Sequence, residues 1–344
     1  MFSKLRSLIF KVDPEKAHTL AIKSLKFNLV PNVFDENKND PIFQTKIFDK
    51  DLDNPIGMAA GFDKNAEVYN SLFKLGFGFV EVGTITPLKQ YGNPKPRVFR
   101  LVEDEALINR LGFNNQGAQI VKERIKRNKK LGLLGINVGP NKDSSDRLND
   151  YLIGLKTFYD DADYITINIS SPNTENLRTF HEGDKLQDLL KSIMEERKNL
   201  KSNIPIAVKV SPDISEDQVN QISEILLEHE IKAIIVSNTS EATRDKLSNI
   251  QRHQKGGLSG KPLEDKSNLL INKFYKHLQN KIKIIGVGGV DSGMSAYNKF
   301  LAGAHYIQLY TGMVYKGPNI VNMIKNDLGK LLLKDGVKNF TEII

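Results

Sequence analysis

The sequence predicts an α/β fold in which eight strands alternate with helices and close into a TIM (β/α)8 barrel, preceded by a small N-terminal helical extension. Three observations predict this fold. Short apolar, β-branched segments recur from residue 55 onward, amphipathic stretches separate most of them, and the repeats span somewhat more than the roughly 250 residues of a typical barrel. A doubly wound parallel sheet is the alternative fold for the same alternation.

The extension, residues 1–40, is predicted to hold two helices. Apolar residues at helical spacing predict an amphipathic first helix across Phe2–Val12. A second helix should begin at Asp13-Pro14-Glu15, where an acidic N-cap, a proline in the first turn and an acid near the positive end of the helix dipole coincide. This helix should run to about Leu29, before Pro31.

Basic charge is concentrated in this extension. Residues 1–30 hold six basic and two acidic residues, so a net +4 of the chain's +8 lies there. A basic amphipathic helix pair suits an anionic membrane surface, with Lys4, Arg6 and Lys11 against the head groups. A helical flap that only stabilises the barrel is the alternative. The basic residues follow no nucleic-acid-binding motif, so no nucleic acid partner is expected.

The remaining residues, 41–344, are predicted to form one catalytic barrel domain. Its eight strands are predicted at Ile56–Ala60, Phe79–Gly83, Leu133–Val138, Tyr164–Ile169, Ile206–Val210, Ala233–Ser237, Ile282–Val287 and Tyr306–Tyr310. Amphipathic stretches such as Asp184–Leu200 and Glu216–His229 supply helices. The two longest connections, residues 84–113 and 238–263, follow the second and sixth strands and should be active-site loops.

Residue types that are missing or scattered exclude several kinds of site. The chain has no cysteine, which excludes disulfides, thiolate metal sites, an iron–sulfur cluster held by this chain, and a cysteine nucleophile or base. The six histidines show no ligand spacing, so no metal is expected. No apolar run approaches the roughly 20 residues of a membrane-spanning helix.

Polar side chains and glycines follow the carboxyl ends of the predicted strands, where barrel enzymes keep their active sites. Amides and hydroxyls cluster across Asn168–Thr174, after the fourth strand, although an ordinary Ser-Pro-Asn turn is the alternative reading of that segment. Glycines at Gly286–Gly289 and Gly312 follow the last two strands and favour a phosphate site. Amide-rich strand ends suit a flat heterocycle with alternating donors and acceptors.

The chain at this point resembles the dihydroorotate dehydrogenases, specifically their quinone-linked, membrane-associated class (class 2). The matching segments are Gly57–Lys64, Val82–Pro87, Asn109–Asn115, Asn168–Thr174, Gly257–Gly260, Gly286–Ser292 and Leu309–Gly312, together with Asp13–His18 in the extension. The likeness covers nearly the whole chain.

The resemblance implies an FMN enzyme that oxidises dihydroorotate to orotate in pyrimidine biosynthesis and passes the electrons to a membrane quinone. It implies FMN binding by Ala60, Gly61, Thr84, Asn137, Asn168, Lys209, Ser237, Gly260, Gly289, Tyr310 and Thr311. It implies substrate binding by Lys64, Asn109, Arg110, Leu111, Gly112, Phe113, Asn168, Asn173, Asn238 and Thr239. It also implies a peripheral membrane protein, on the cytoplasmic face of the inner membrane if the source is bacterial.

Ser171 takes the place of the family's catalytic base, which is serine in the quinone-linked class and cysteine in the soluble class. The absence of cysteine agrees with this independently. A serine hydroxyl is a poor base unless its own proton can leave, and Thr174 with a water beside Phe113 would supply the relay. One departure from the family is Glu175-Asn176, where a Pro-Gly pair is usual, so the loop over the base should be more mobile than in relatives.

Three competing functions stay open from the sequence. A soluble, fumarate- or NAD-linked dihydroorotate dehydrogenase would call for a cysteine base and lack the N-terminal helices. Another FMN barrel oxidoreductase would act on a different ring. A non-catalytic basic binding protein would purify without a flavin spectrum.

Overall fold

The computed structural model describes residues 2–27, 29, 40–242 and 244–344, and the side chains of these residues from Leu5 onward. The described helices are α1 (Phe2–Ile9), α2 (Pro14–Lys26), α3 (Tyr69–Lys74), α4 (Ala118–Arg127), α5 (Arg147–Phe158), α6 (Gly183–Asn199), α7 (Glu216–Glu228), α8 (Glu264–Leu278), α9 (Gly293–Leu301), α10 (Thr311–Lys316) and α11 (Ile320–Lys334). The predicted boundary near residue 40 adjoins residues 30–39, which lie outside the described residues, as does the side chain of Lys4.

Eight parallel strands close into a barrel, which confirms the predicted TIM fold over the doubly wound alternative. The described strands are β1 (Thr45–Ile47), β2 (Lys50–Leu52), β3 (Ile56–Met58), β4 (Phe79–Ile85), β5 (Val98–Leu101), β6 (Ala106–Asn109), β7 (Leu133–Val138), β8 (Tyr164–Asn168), β9 (Ile206–Val210), β10 (Ala233–Val236), β11 (Gly257–Gly260), β12 (Lys283–Val287) and β13 (Tyr306–Leu309). The barrel runs in the order β3, β4, β7, β8, β9, β10, β12, β13 and back to β3. All eight barrel strands lie where the sequence predicts them, with ends that differ by at most two residues.

A short antiparallel hairpin, β1 with β2, closes the amino-terminal end of the barrel. Its buried Ile47 and Leu52 pack with side chains from the first residues of several barrel strands, including Phe79 and Tyr164. The sequence analysis did not predict this hairpin, because three-residue strands are too short to show an alternating pattern. The hairpin seals the end of the barrel opposite the carboxyl ends of the strands.

The two long connections do not remain simple loops. Strands β5 and β6 come from the first connection and β11 from the second, and the three pair antiparallel in the order β11, β6, β5. Leu101, Ile108 and Leu258 form a small core of their own beneath this sheet. The hydroxyl of Tyr315 fastens the sheet to α10 by donating to the carbonyl of Ala106 at 2.8 Å.

The N-terminal helices are shorter than predicted. Helix α1 ends at Ile9 rather than Val12, because the backbone N–H groups of Lys11 and Val12 bond to the carbonyls three residues back rather than four, at 3.2 and 3.1 Å. Beyond the helix, the carbonyls of Phe10 and Val12 accept hydrogen bonds from Arg100 at 3.2 and 2.7 Å. Helix α2 ends at Lys26 rather than Leu29. The predicted cap is confirmed, since Asp13 Oδ1 accepts from the backbone N–H groups of the first turn.

Candidate active site

A cavity opens at the carboxyl ends of the barrel strands, between the barrel and the β5–β6–β11 sheet. The predicted site residues that line it are Ala60, Gly61, Lys64, Thr84, Asn109, Leu111, Gly112, Phe113, Asn168, Ser171, Asn173, Lys209, Ser237, Asn238, Thr239, Gly260, Gly289, Tyr310 and Thr311. They come from segments far apart in sequence. Barrel closure brings these segments together, because the carboxyl ends of parallel strands lie at one end of the barrel.

Two predicted residues do not line this cavity. Asn137 lies one layer deeper, with its side chain fully buried beneath Thr84. The guanidinium of Arg110 stacks 4.6 Å from the ring centroid of Phe99 and donates to Gln254 Oε1 at 3.0 Å. Arg110 therefore fastens the connection after β6 to the connection before β11, while its neighbours in the Asn109–Phe113 segment line the cavity.

Three polar side chains from neighbouring strands bond one another, two of them at the floor of the cavity and Asn137 directly beneath it. Thr84 Oγ1 donates to Asn137 Oδ1 at 2.6 Å. Asn168 Nδ2 donates to Thr84 Oγ1 at 2.9 Å and to Asn137 Oδ1 at 3.1 Å. These buried groups satisfy one another, so their orientations are fixed before any ligand binds.

Ser171 lies in the loop after β8 and is almost fully buried. Its Oγ accepts a hydrogen bond from the backbone N–H of Asn173 at 3.2 Å, and the carbonyl of Asn173 accepts from Asn93 Nδ2 at 3.3 Å. Thr174, the predicted relay partner, is buried too but does not line the cavity. The relay therefore stays a prediction.

The loop that carries Ser171 is tied to its neighbours. Arg178 donates to the carbonyl of Ser170 at 3.3 Å and to the carbonyl of Thr239 at 3.0 Å, and it pairs with Asp213 at 3.2 Å. Asn176 has a left-handed backbone, with φ of +54°, which glycine and then asparagine adopt most easily. The Glu-Asn departure from the family pattern therefore fits this turn, and the mobility of the loop stays a prediction.

Two lysines face the cavity, Lys209, which is buried, and Lys64, which is partly buried. Burial lowers the pKa of Lys209, and the negative charge of Glu81 offsets part of that effect. Burial lowers the pKa of Lys64 to about 8, while the charge of Glu15 acts in the opposite direction. At neutral pH Lys64 is therefore a cation at the edge of the site, in a position to bind an anionic group.

The loops after β12 and β13 fit a phosphate. Gly288 and Gly289 have φ of +115° and +78°, and a Cβ on Gly289 would lie 2.5 Å from the Glu264 Cβ. No described residue accepts a hydrogen bond from the backbone N–H groups of Gly288, Gly289 or Thr311, so these donors are free to bind an anion. Free N–H groups around a close backbone approach are what a flavin mononucleotide phosphate requires.

The sequence analysis missed several residues of the site, and two of them, Glu81 and Ser259, form hydrogen bonds with predicted site residues. Glu81 lies inside the barrel beneath Asn137, and the signal for it was a single carboxylate within the otherwise apolar strand Phe79–Ile85. Ser259 lines the cavity and its hydroxyl lies 2.9 Å from that of Thr311. Ser259 is part of the Gly257–Gly260 motif, in which only Gly260 was predicted to bind.

A second cavity, of about 550 Å³, separates α1 and α2 from the barrel. Its walls are mainly apolar and include Leu20, Ile22 and Met313. It shares a wall with the first cavity, formed by Lys64, Val98, Leu107, Leu111, Asn114 and Tyr310. None of the described helices is long and apolar enough to cross a bilayer, and the described residues hold no group of three or more potential metal ligands.

Comparison with known proteins decides the family. The family model for dihydroorotate dehydrogenase matches residues 42–332. The chain belongs to the dihydroorotate dehydrogenase family. This confirms the resemblance inferred from the motifs.

The relatives carry the name of the quinone-linked class and match this chain over nearly its full length. Dihydroorotate dehydrogenase (quinone) from Bartonella tribocorum is 47% identical over 344 residues, which cover 98% of this chain and 94% of that protein. The protein of the same name from Agrobacterium fabrum is 44% identical and covers 100% of this chain and 95% of its own length. A crystal structure of the Eimeria tenella dihydroorotate dehydrogenase in complex with ferulenol superposes with a TM-score of 0.92 at 36% identity, covering 96% of this chain and 95% of that one.

A first prediction tests the phosphate cradle. Gly289→Ala should lower the FMN content of the purified protein at least about tenfold, because the added Cβ displaces the backbone from Glu264. Gly336→Ala is the matched control, since its φ is +72° but nothing lies within 4 Å of the new Cβ. Absorption at the flavin band relative to protein measures both. Equal FMN content in the two variants would place the phosphate elsewhere.

A second prediction concerns pH. Orotate is an anion, so its affinity for the FMN-loaded protein should be constant below about pH 8, where Lys64 is charged. Above that pH, Lys64 of the orotate-free protein is deprotonated and must take up a proton when orotate binds. The dissociation constant should therefore rise by roughly tenfold per pH unit. Titration calorimetry between pH 6.5 and 9 measures this. Lys64→Met should bind weakly with a flat profile, and an unchanged break in that variant would contradict the assignment.

Proposed function

We propose that this chain oxidises dihydroorotate to orotate with FMN and passes the electrons to a membrane quinone, using Ser171 as the base. The family and its relatives named dihydroorotate dehydrogenase (quinone) support the overall reaction. The observation that carries the proposal is the shared wall between a polar cavity and an apolar one. One flavin at that wall can meet a polar substrate on one side and an apolar acceptor on the other.

Oxidation of a carbon–carbon single bond beside a carbonyl removes a proton from one carbon and a hydride from its neighbour. FMN, when bound, supplies the hydride acceptor. Ser171 then takes the proton, because it is the buried hydroxyl on the loop after β8 that lines the cavity and the chain has no cysteine. Its proton leaves through Thr174 and water beside Phe113, so the pKa of the serine itself need not match the operating pH.

Other residues of the cavity would bind and orient the substrate and the cofactor. Lys64 faces the substrate carboxylate, and the amides of Asn109, Asn173 and Asn238 bind the ring edge and the carboxylate. Asn173 Nδ2 already donates to Asn109 Oδ1 at 3.4 Å, which is long enough for a substrate oxygen to replace. Lys209 would place its positive charge beside FMN, where it would favour addition of negative charge to the flavin, and no described residue forms a hydrogen bond with its ammonium group.

The alternatives are separated by particular residues. A soluble fumarate- or NAD-linked enzyme would need a cysteine base, which this chain lacks, and would not need the second cavity. Another FMN barrel oxidoreductase would be revealed by the substrate that bleaches the flavin. A non-catalytic basic binding protein would have no reason to leave backbone donors free beside the glycines of the cradle.

The apolar cavity is the proposed quinone site. Arg97, which lies just before β5, holds α2 to the β5–β6–β11 sheet through two hydrogen bonds to Glu15, of 3.1 and 2.6 Å. Burial alone would raise the pKa of Glu15, but hydrogen bonds and charge from Arg97 and Lys95 lower it overall. This ion pair keeps an apolar passage open between the helices and the barrel without leaving a charge unpaired.

The N-terminal helices are the proposed membrane surface, which would make the protein peripheral and, in a bacterium, place it on the cytoplasmic face of the inner membrane. Leu8 and Leu20 are 60% and 56% exposed, and Phe27 is 70% exposed. Large apolar side chains exposed beside Arg6 and Lys11 suit the head-group region of an anionic bilayer.

The third prediction concerns Ser171. Anaerobic addition of dihydroorotate should bleach the flavin of the wild-type protein within one turnover. Ser171→Ala should retain FMN but slow bleaching by about a hundredfold or more, because loss of a positioned base typically costs that factor. Ser192→Ala, on the outer helix α6, is the control. Stopped-flow absorption measures the rate, and near-normal bleaching in Ser171→Ala would reject the base.

The fourth prediction concerns the membrane surface. Leu8→Asp with Leu20→Asp should abolish binding to anionic vesicles and slow turnover with a long-chain quinone at least about tenfold, since burial of each leucine in the interface is lost. Flavin reduction by dihydroorotate should stay unchanged. Leu333→Asp is the control, because Leu333 is 70% exposed but lies on α11. Full vesicle binding by the double variant would reject this surface.

A further inference from the structure

Glu81 is a fully buried carboxylate inside the barrel. Four donors from three other strands converge on its two oxygens. Asn137 Nδ2 donates to Oε1 at 2.8 Å, while the Tyr164 hydroxyl, the Thr166 hydroxyl and Gln308 Nε2 donate to Oε2 at 2.9, 3.1 and 3.1 Å. A carboxylate accepts hydrogen bonds and cannot donate, so every neighbour must present a donor to it.

This requirement fixes the direction of the hydrogen bonds above it. Because the Asn137 amide turns its NH2 group down to Glu81, its oxygen faces up. That oxygen accepts from the Thr84 hydroxyl at 2.6 Å and from Asn168 Nδ2 at 3.1 Å. The Asn168 amide is thereby oriented as well, with its oxygen pointing toward the loop after β8.

The same order of donors and acceptors continues from Asn168 to Asn238, which lines the proposed substrate site. Asn168 Oδ1 accepts from the backbone N–H and the hydroxyl of Ser170 at 3.2 and 2.9 Å. Ser170 has thereby used its proton, so its oxygen accepts from Asn238 Nδ2 at 2.9 Å. The Asn238 oxygen then accepts from the backbone N–H of Thr239 at 2.8 Å. One carboxylate therefore sets the orientation of three amides in sequence.

Glu81 also supplies the charge opposite Lys209. Among the described residues, none accepts a hydrogen bond from the Lys209 ammonium group, and Glu81 is the anion whose charge favours its protonated form. The other ionisable group in contact with Glu81 is Tyr164, a buried neutral donor whose pKa burial and Glu81 raise well above its usual value.

We propose that Glu81 is a positioning residue that acts through Asn137, turning the amides of Asn168 and Asn238 into the orientation that the flavin and the substrate ring require. The inference rests on the proposed placement of FMN and dihydroorotate. It adds a residue that contacts neither of them. Its effect is carried by the direction of hydrogen bonds rather than by the shape of the cavity.

Glu81→Gln is nearly isosteric but replaces one acceptor with a donor. The three donors at Oε2 hold the new amide oxygen there, so the new NH2 group meets the NH2 group of Asn137. If Asn137 turns over, its own NH2 group then meets that of Asn168, and the conflict moves toward the substrate. FMN-loaded Glu81→Gln should therefore bind orotate at least about tenfold more weakly than the wild type, since a buried donor is left unsatisfied.

A second substitution should relieve this conflict. Asn137→Asp together with Glu81→Gln gives the new glutamine NH2 group an acceptor and still offers oxygens to Thr84 and Asn168, so the direction of the network returns. The double variant should regain orotate affinity to within about threefold of wild type, whereas Asn137→Asp alone should bind poorly because two carboxylates then face each other. Thr166→Val is the matched control. It removes one donor from Glu81 without touching the chain of amides, and it should bind orotate and FMN like the wild type.

Titration calorimetry with orotate, FMN content and thermal midpoint are measured for all five proteins. Weaker orotate binding in Glu81→Gln, together with recovered binding in the double variant, supports the proposal. Wild-type affinity in Glu81→Gln overturns it, and so does a double variant that stays as weak as Glu81→Gln or fails to fold. If Glu81→Gln alone does not fold, the double variant is compared with Asn137→Asp instead. Higher orotate affinity in the double variant than in Asn137→Asp then supports the proposal, and equal affinity overturns it. Failure of the proposed function would instead show as a wild-type protein that binds no orotate.

Discussion

The structure depends on closure of the parallel barrel, which places every strand's carboxyl end at one opening. In the closed barrel, the backbone N–H and C=O groups of each strand are hydrogen-bonded to neighbouring strands. Polar side chains inside the barrel must instead form hydrogen bonds with one another. Glu81 meets this constraint with four donors, and Asn137, Thr84 and Asn168 meet it by bonding one another. The cavity is therefore built on a floor whose donors and acceptors are already assigned, which is the preorganisation that binding a flat heterocycle needs.

Much of this arrangement was predictable from the sequence, and the exceptions share a physical cause. The eight barrel strands were predictable because each is a buried, β-branched run, and many of the residues that line the cavity lie at or near their carboxyl ends. The β1–β2 hairpin and the β5–β6–β11 sheet were not predictable, because their stability comes from pairing between distant or very short segments. Arg110 and Asn137 were expected at the ligand, yet a residue's position in a motif does not say which way its side chain turns.

The extension shows how a separate element can serve the same site. Arg97, beside β5, binds Glu15, and Arg100, within β5, binds the carbonyls of Phe10 and Val12 between α1 and α2. Between the helices and the barrel these polar contacts border a cavity of about 550 Å³ whose walls are mainly apolar. A tightly packed helical flap would have closed that space, so the attachment itself favours a passage over a purely stabilising role.

The wall shared by the two cavities, with the residues beside it, combines neutral aromatic rings with one charged lysine. Burial, with the nearby charge of Lys64, lowers the pKa of His18 to about 3, and burial raises the pKa of Tyr310 to about 12, so both are neutral at pH 7. His18 and Tyr310 pack against Phe62 with ring centroids 5.3 and 5.7 Å away. Lys64 keeps its proton under the same conditions, because its pKa falls only to about 8. The side of the wall that faces the apolar cavity therefore carries neutral rings, while Lys64 places a positive charge where the two cavities meet. Under the proposed function, this arrangement suits a cofactor that reacts with a polar substrate and an apolar one in turn.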